Sequence, residues 1–435
     1  MADVSNSGRG TGSRVLRRRL IQTVAVCALA ALALVACRNA PVSGDPNGEL
    51  HAAMERFTSS VAEAEALVRQ VPGLSEQDRT EGYRYLAGLV RWALDRKLAN
   101  PDTDHPCFRR TQDTFTKWGL DNPDNLYANA QISDQGDYLI SGTRGTAAYL
   151  AFQVMAGTPG DGSLGRPIDA IDLSRLQVNA DGTYEIVVSP QPHSGNWLKS
   201  GAGANLVLVR QSLSDWTKET PGEVHIRRVG HDGGPSEPLN AKVMASMLAE
   251  AGRVVVAQTR YWLGYIEGWK ALPVNNVTAP ALSQGGLPGQ ISSRGHYRLA
   301  DDEALIITVS PSDAPYQGFQ LGHFWWFVSF DYKTRQSSLT TGQAHVSSDG
   351  LYRLVVSTTD PGLPNWLDTG GHQEGFMFLR WQGLTSPVPS QPGTQLVRLA
   401  DLRNHLPADE PVVTAVQRQA QLALREAAVN QRLEQ

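Results

Sequence analysis

At 435 residues the chain is too long for a single hydrophobic core and calls for two or three domains. Its formal charge is −4, and residues 1–36 hold five arginines against one aspartate, so the remainder carries −4 − 4 = −8. An acidic body of that kind argues against a nucleic-acid partner.

Residues 1–36 read as a processing signal and not as part of the fold. Arg14, Arg17, Arg18 and Arg19 form a basic stretch, and residues 20–35 an apolar run too short and too rich in alanine for a good membrane span. Leu34-Val35-Ala36-Cys37 then resembles the lipobox of bacterial lipoproteins. The resemblance implies cleavage before Cys37, a diacylglyceryl group on its sulfur, and a fatty acyl group such as palmitate on the new amino group. A chain so modified is anchored to a membrane without spanning it. The alternative is a plain secretory signal that ends in cysteine, and Arg17-Arg18-Arg19-Leu20-Ile21 leaves the general and the twin-arginine export routes both open. The expected location is the cell envelope, outside the cytoplasm. With Cys27 removed and Cys37 lipidated, Cys107 has no partner for an intramolecular disulfide and is expected to be a small buried hydrophobe.

A polar tether over 37–49 leads into a helical region over 50–120. Met54, Phe57, Val61, Ala64, Val68 and Val71 recur at three-four spacing, Pro72-Gly73 breaks the run, and Ser75 is placed to cap a second helix. Tyr83, Leu86, Val90, Leu94 and Leu98 continue the stripe to Pro101, which predicts a helical hairpin. A short third helix is expected over 107–119. Across 121–232 the hydrophobic period becomes two, with strands expected over 126–132, 137–141, 147–155, 173–178, 183–189, 205–210 and 223–229. Residues 239–271, within 236–273, predict one long amphipathic helix that links this lobe to a second over 285–400. Strands are expected there over 296–299, 304–309, 323–330, 351–357, 375–381 and 395–399. Phe324-Trp325-Trp326-Phe327 is aromatic on both faces and is expected to be a covered central strand or the wall of a groove. A polar helix within 408–435 closes the chain and is expected to dock weakly.

The two lobes share a repeat. The segment from Asp181 to Arg210, DGTYEIVVSPQPHSGNWLKSGAGANLVLVR, returns as DGLYRLVVSTTDPGLPNWLDTGGHQEGFMFLR from Asp349 to Arg380. Tyr184, Ile186 and Val188 alternate with polar residues as Tyr352, Leu354 and Val356 do, and Asn196-Trp197-Leu198 matches Asn365-Trp366-Leu367. The fold class is therefore mainly β with helical additions: two repeated β-sandwich or jelly-roll-like lobes, an N-terminal helical hairpin, a linking helix and a C-terminal helix.

Within the second lobe the runs at 316–321, 325–326, 331–339, 365–375 and 379–381 resemble the bacterial domain-of-unknown-function family 1214. The segments at 82–86, 122–127 and 402–407 resemble flanking parts of its longer members. The resemblance implies a β-sandwich, sometimes paired with a related domain, and no agreed activity, so no catalytic residue comes with it.

No Walker A, HExxH, GxSxG or cysteine/histidine metal spacing occurs in the sequence. Gly160, Gly162 and Gly165 form a lone GxGxxG that Arg166-Pro167 follows instead of a helix, and it reads as a loop. A metal built from the distant His323, His345 and His372 has no support in spacing, and no metal or cofactor is expected. Trp325, Trp326, Trp366 and Trp381 are placed to line an apolar or sugar-binding groove or to pack the core. The copies differ where Asp368 replaces Lys199, His372 replaces Gly203, and Glu374 enters a longer turn. An acid, an imidazole and a second acid in one turn make Asp368, His372 and Glu374 the candidate catalytic group. Two functions follow: a lipid-anchored binding or accessory module for an apolar or carbohydrate ligand, and a cell-envelope hydrolase working through that turn.

Overall fold

The structure is a computed structural model and describes residues 45–99, 101–231, 233–283 and 286–433. The leader, Cys27 and Cys37 lie outside the described residues. Helix α1 (Pro46–Arg69) starts with proline in its first turn, behind an Asp45 cap that accepts from the Asn47 N–H, so it begins four residues inside the expected tether. After the break at Pro72-Gly73, helix α2 (Glu76–Leu94) opens on a capping box in which Ser75 and Asp78 exchange side-chain and backbone bonds. It ends in a π-helical turn, Asp95–Ala99. Residues 107–119 are not helical. Asp113 there accepts from the Phe115 and Thr116 N–H groups and folds the chain into turns, and Cys107 is exposed where burial was expected.

The first lobe is two sheets. Strands β1 (Arg109–Arg110), β2 (Asn125–Gln131), β3 (Tyr138–Thr143), β4 (Tyr149–Ala156), β5 (Arg166–Asp172), β6 (Thr183–Ser189), β7 (Trp197–Lys199), β8 (Ala204–Ser212) and β9 (Val224–Arg228) pair as β1-β2-β8-β4-β5 and β7-β6-β3-β9. The strand expected over 173–178 is displaced upstream to β5. Asp172 ends β5 by accepting from the Ser174 N–H and hydroxyl, and the chain turns there.

The second lobe, with β10 (Asn276–Val277), β11 (Ala281–Leu282), β12 (Ile291–Arg298), β13 (Glu303–Val309), β14 (Tyr316–His323), β15 (Ser338–Thr340), β16 (Tyr352–Ser357), β17 (Trp366–Asp368), β18 (Glu374–Gln382) and β19 (Gly393–Arg398), repeats the order. Its sheets run β10-β12-β18-β14-β15 and β17-β16-β13-β19. Each repeat holds the same short parallel pair: Val188 faces Leu198, and Val356 faces Leu367. Each indole donates to the same carbonyl position, Trp197 to Ser189 O at 3.0 Å and Trp366 to Ser357 O at 3.1 Å. Each lobe has its own apolar core between its two sheets. Trp366 is buried, but Trp197 is half-buried, short of the burial expected in both copies.

The expected strand over 323–330 is another correction. Its real counterpart, β14, ends at His323, and the aromatic quartet makes a tight turn closed by Phe327 N–H to His323 O at 3.2 Å, with Phe327 at φ 51°. The rings serve helix packing instead of a sheet. Trp326 lies under Gly82 of α2, where an added Cβ would sit 2.4 Å from the indole, and it stacks on Tyr85 at 5.9 Å.

The linking helix α3 (Ala241–Tyr265) stops at Ile266 and resumes as the short α4 (Glu267–Lys270), so the expected continuous helix is broken one turn from its end. It packs along α1 and, with α2, forms a separate apolar cluster that also takes in Trp326 and Val328. No helix among the described residues is long and apolar enough to cross a membrane.

The C-terminal helix α5 (Ala415–Leu433) overturns the expectation of weak docking. Arg418, Arg425 and Arg432, seven residues apart, are all buried. Arg418 donates to Asp360 Oδ2 at 2.9 Å, Arg425 to Tyr332 O and Ser338 Oγ at 2.6 Å each, and Arg432 to Pro123 O at 3.0 Å. Their aliphatic stems pack along the lobes and their planar heads find carboxylate, hydroxyl and carbonyl acceptors, which a polarity count does not register.

Candidate functional site

The first two turns of α2 face the end of β14 and the turn between β17 and β18. Asp78 and Glu81, three residues apart, lie on one face of α2. His323 is the last residue of β14 and is fully buried, and His372 sits in the 369–373 turn, stacked flat on Phe330 at 4.8 Å. The two imidazoles are 4.7 Å apart.

Each carboxylate has one oxygen fixed behind it and one presented to the histidines. Asp78 Oδ2 accepts from the Ser75 N–H at 3.2 Å and its hydroxyl at 2.7 Å, leaving Oδ1 at 3.2 Å from His372 Nδ1 and 3.4 Å from His323 Nε2. Glu81 Oε1 accepts from Gln77 Nε2 at 3.0 Å, leaving Oε2 at 3.2 Å from His372 Nε2 and 3.0 Å from His323 Nε2. His372 thus has a carboxylate at each ring nitrogen. Burial opposes its charge, but the bonds to Asp78 and Glu81 win and hold its pKa up to about 9. Against their own burial, the same bonds hold Asp78 down to about 2 and Glu81 well below the ordinary carboxylate range. His323 goes the other way, pushed down by burial more than Glu81 can restore.

Asp78, His323 and His372 lie close enough to hold a metal ion, with ligand atoms within 4.8 Å of one another. The hydrogen bonding of His323 opposes that use. Its Nδ1 accepts from the Trp325 N–H at 3.1 Å, which places the proton on Nε2, the nitrogen that faces the carboxylates. A metal-bound imidazole needs a lone pair on that nitrogen and donates from the other. The cluster is a neutral imidazole and an imidazolium between two carboxylates. His323 Nε2 is nonetheless not well aligned on either oxygen, so this buried donor lacks a full hydrogen bond.

The cluster forms one wall of a cleft of about 540 Å³. Four basic side chains line it, Arg84, Lys117, Lys333 and Arg335, against the acidic Glu81 and Asp331. Lys117 is held by the Ser329 and Phe330 carbonyls at 3.1 and 2.8 Å, and Arg335 reaches Asp368 Oδ2 at 3.0 Å with half its side chain exposed.

The turn Asp368, His372 and Glu374 does not converge. Asp368 caps the turn by accepting from the Gly370 N–H at 2.8 Å and pairs with Arg335. Glu374 points to His296 Nε2 at 2.8 Å and to Arg298. Only His372 reaches the cleft. His345 lies elsewhere, 4.0 Å from Glu410, so the trio His323, His345 and His372 is not brought together. Of the tryptophans, Trp326 borders the cleft, Trp325 lies under Lys270 Nζ at 4.3 Å, Trp366 under the Arg418 guanidinium at 5.3 Å, and Trp381 is core. Sequence reading missed Asp78, Glu81 and the basic rim. The signal was present in Ser75-x-x-Asp78-x-x-Glu81, a cap followed by a second acid on the same helix face.

No family model and no curated protein matches the chain. Among solved structures it is similar to an uncharacterised protein from Burkholderia cenocepacia, at 31% identity and a TM-score of 0.75, covering 81% of this chain and 99% of that one. A second match, to a protein from Vibrio parahaemolyticus, has 12% identity and a TM-score of 0.41 over 78% of this chain and 100% of that one.

Proposed function

This chain belongs to the same family as the Burkholderia cenocepacia protein, and we propose for it a binding role in the cell envelope, with a lipid on Cys37 as its anchor. The observation that carries a binding role over a hydrolytic one is the state of His372. Both of its nitrogens face carboxylates, whose bonds hold its pKa up to about 9 against burial, so at neutral pH it keeps its proton and has no lone pair to act as a base. Asp368 and Glu374 are committed to Arg335 and to His296 and Arg298. His372 is neutralised by Asp78 and Glu81, so the cations left to a ligand are those on the rim, Arg84, Lys333 and Arg335, beside the half-buried ring of Phe115; such a cleft suits a carbohydrate that bears acid groups, whose carboxylates the rim cations would meet.

Calorimetric titration with tri-galacturonate and with a neutral trisaccharide tests this. The account expects the acidic sugar alone to bind, and binding to weaken roughly tenfold or more in Arg335→Ala. Equal affinity for both sugars, or binding unchanged in Arg335→Ala with Lys333→Ala, would sink it. For the anchor, Cys37→Ala is expected to leave a chain that no longer partitions with detergent; partitioning like the parent would remove that part of the proposal.

A further inference from the structure

The outer faces of the two β8/β18 sheets look toward each other and enclose, with α3 and the end of α2, a second cavity of about 140 Å³. It does not involve the histidine cluster. The repeat brings an arginine to it from each lobe, Arg210 from β8 and Arg380 from β18. Each is steadied by the glutamine at the matching place on the next strand, Arg210 Nη1 by Gln153 Oε1 at 2.9 Å and Arg380 by Gln320. A third arginine, Arg96, arrives from the π-helical turn that ends α2, a distortion of the kind that gathers at functional sites.

Arg96 is the decisive group. It is 6% exposed, and among the described residues only its Nη2 has a partner, Thr158 Oγ1 at 2.7 Å; Nε and Nη1 have none there. Among the described residues no carboxylate pairs with it, and nearby Asp161 and Glu250 are both taken by Arg253. The lone acid on the wall, Asp121, is already satisfied by the Ser329 N–H at 2.9 Å and hydroxyl at 2.7 Å. The indole N–H groups of Trp118 and Trp269, also on the wall, likewise lack acceptors. A buried guanidinium with two free donors is costly unless something supplies the acceptor.

We propose that this cavity binds a small aromatic carboxylate, with the carboxylate on Arg96 and the ring among the tryptophans. Three cations against one satisfied acid ask for an anion. The remaining wall is aromatic, with Trp262 stacked on Phe327 at 5.7 Å and Trp269 edge-on to Phe378 at 5.2 Å, which suits a flat apolar body. The volume limits that body to about one benzene ring, since an apolar cavity of roughly 150 Å³ accepts benzene. A guanidinium meets an acid through two parallel N–H bonds, and Arg96 can give them from Nε or Nη1 together with the second hydrogen of Nη2, whose first goes to Thr158.

The test uses the purified chain, sodium benzoate as probe, and benzamide as its uncharged counterpart, followed by calorimetry and by the fluorescence of the four tryptophans on the wall. Benzoate is expected to bind and to change that emission, with benzamide weaker by roughly tenfold or more. Arg96→Met is expected to lose benzoate binding by a similar factor while its melting temperature holds or rises, because a buried unpaired charge has been removed. Arg210→Met provides the same reading from the opposite wall if the first variant fails to fold. No benzoate binding at millimolar concentration, equal binding of benzamide, or undiminished binding in a folded Arg96→Met or Arg210→Met chain would overturn the proposal.

Discussion

The two lobes have the same strand order, the same parallel strand pair and the same indole-to-carbonyl bond, yet they meet the rest of the protein differently. At the end of β4 the first lobe carries Ala156, and at its turn Gly203, whose neighbour there is the Ala156 methyl. The second lobe carries His323 and His372 at those places, and an acidic helix face has been brought over them. The strands and the Asn-Trp-Leu turn show what the sandwich needs; the two imidazoles show what was added to one copy. Duplication separates scaffold from site without any alignment.

The comparison can be pressed by substitution, and the largest effect is expected at the shared tryptophans. Trp366→Ala should cost about 3 to 5 kcal/mol in urea unfolding, since the ring is buried beneath Arg418. Trp197→Ala, half-buried and without a helix over it, should cost about half as much; equal losses would mean that the second lobe gains nothing from α5. Arg418→Ala should cost about 3 kcal/mol, because it strands Asp360 and uncovers Trp366. A value under about 0.5 kcal/mol would restore the expectation of weak docking.

Next comes His372→Gln, at about 2 to 3 kcal/mol near pH 6. Its pKa is raised from 6.5 to about 9 on folding, so the stability it contributes is fully present below pH 6.5 and is lost as the pH rises through about 9. Asp78 and Glu81 are shifted down from 3.8 and 4.5, so their share is present above pH 4.5 and is lost as the pH falls, through about 2 for Asp78. The gap in melting temperature between parent and variant should be widest from about pH 5 to 6.5 and should close above pH 9; a gap that persists at pH 10 would assign it to packing on Phe330 instead. The smallest effect is expected for Lys199→Ala, which removes the exposed counterpart of Asp368 and should change stability by less than about 0.5 kcal/mol.

Much of the frame was legible in the sequence because the repeat is local: alternation in 183–189 and 352–357 and the Asn-Trp-Leu turns are written in short stretches. What failed was what depends on distant partners. Phe324 to Phe327 has every residue preference of a strand but folds as a turn, since α2, whose Asp78 carbonyl accepts from the Trp326 indole, lies more than 200 residues away in sequence. The arginines of α5 make it read as a polar, weakly docked helix, because only the loops beneath it show that their heads find carbonyls. His372 was identified from the difference between copies, but its partners were assigned within the turn. The real ones, Asp78 and Glu81, come from a helix that no periodicity in the second lobe could indicate.

The claim that the second lobe holds a fixed imidazolium is tested most directly by following the ring signals of His372 and His323 by NMR as the pH is raised from 5 to 10. The account predicts that His372 is protonated on both nitrogens at pH 7 and titrates near pH 9, while His323 remains neutral with its proton on Nε2. A His372 midpoint at or below 6.5, or a His323 proton on Nδ1, would contradict it.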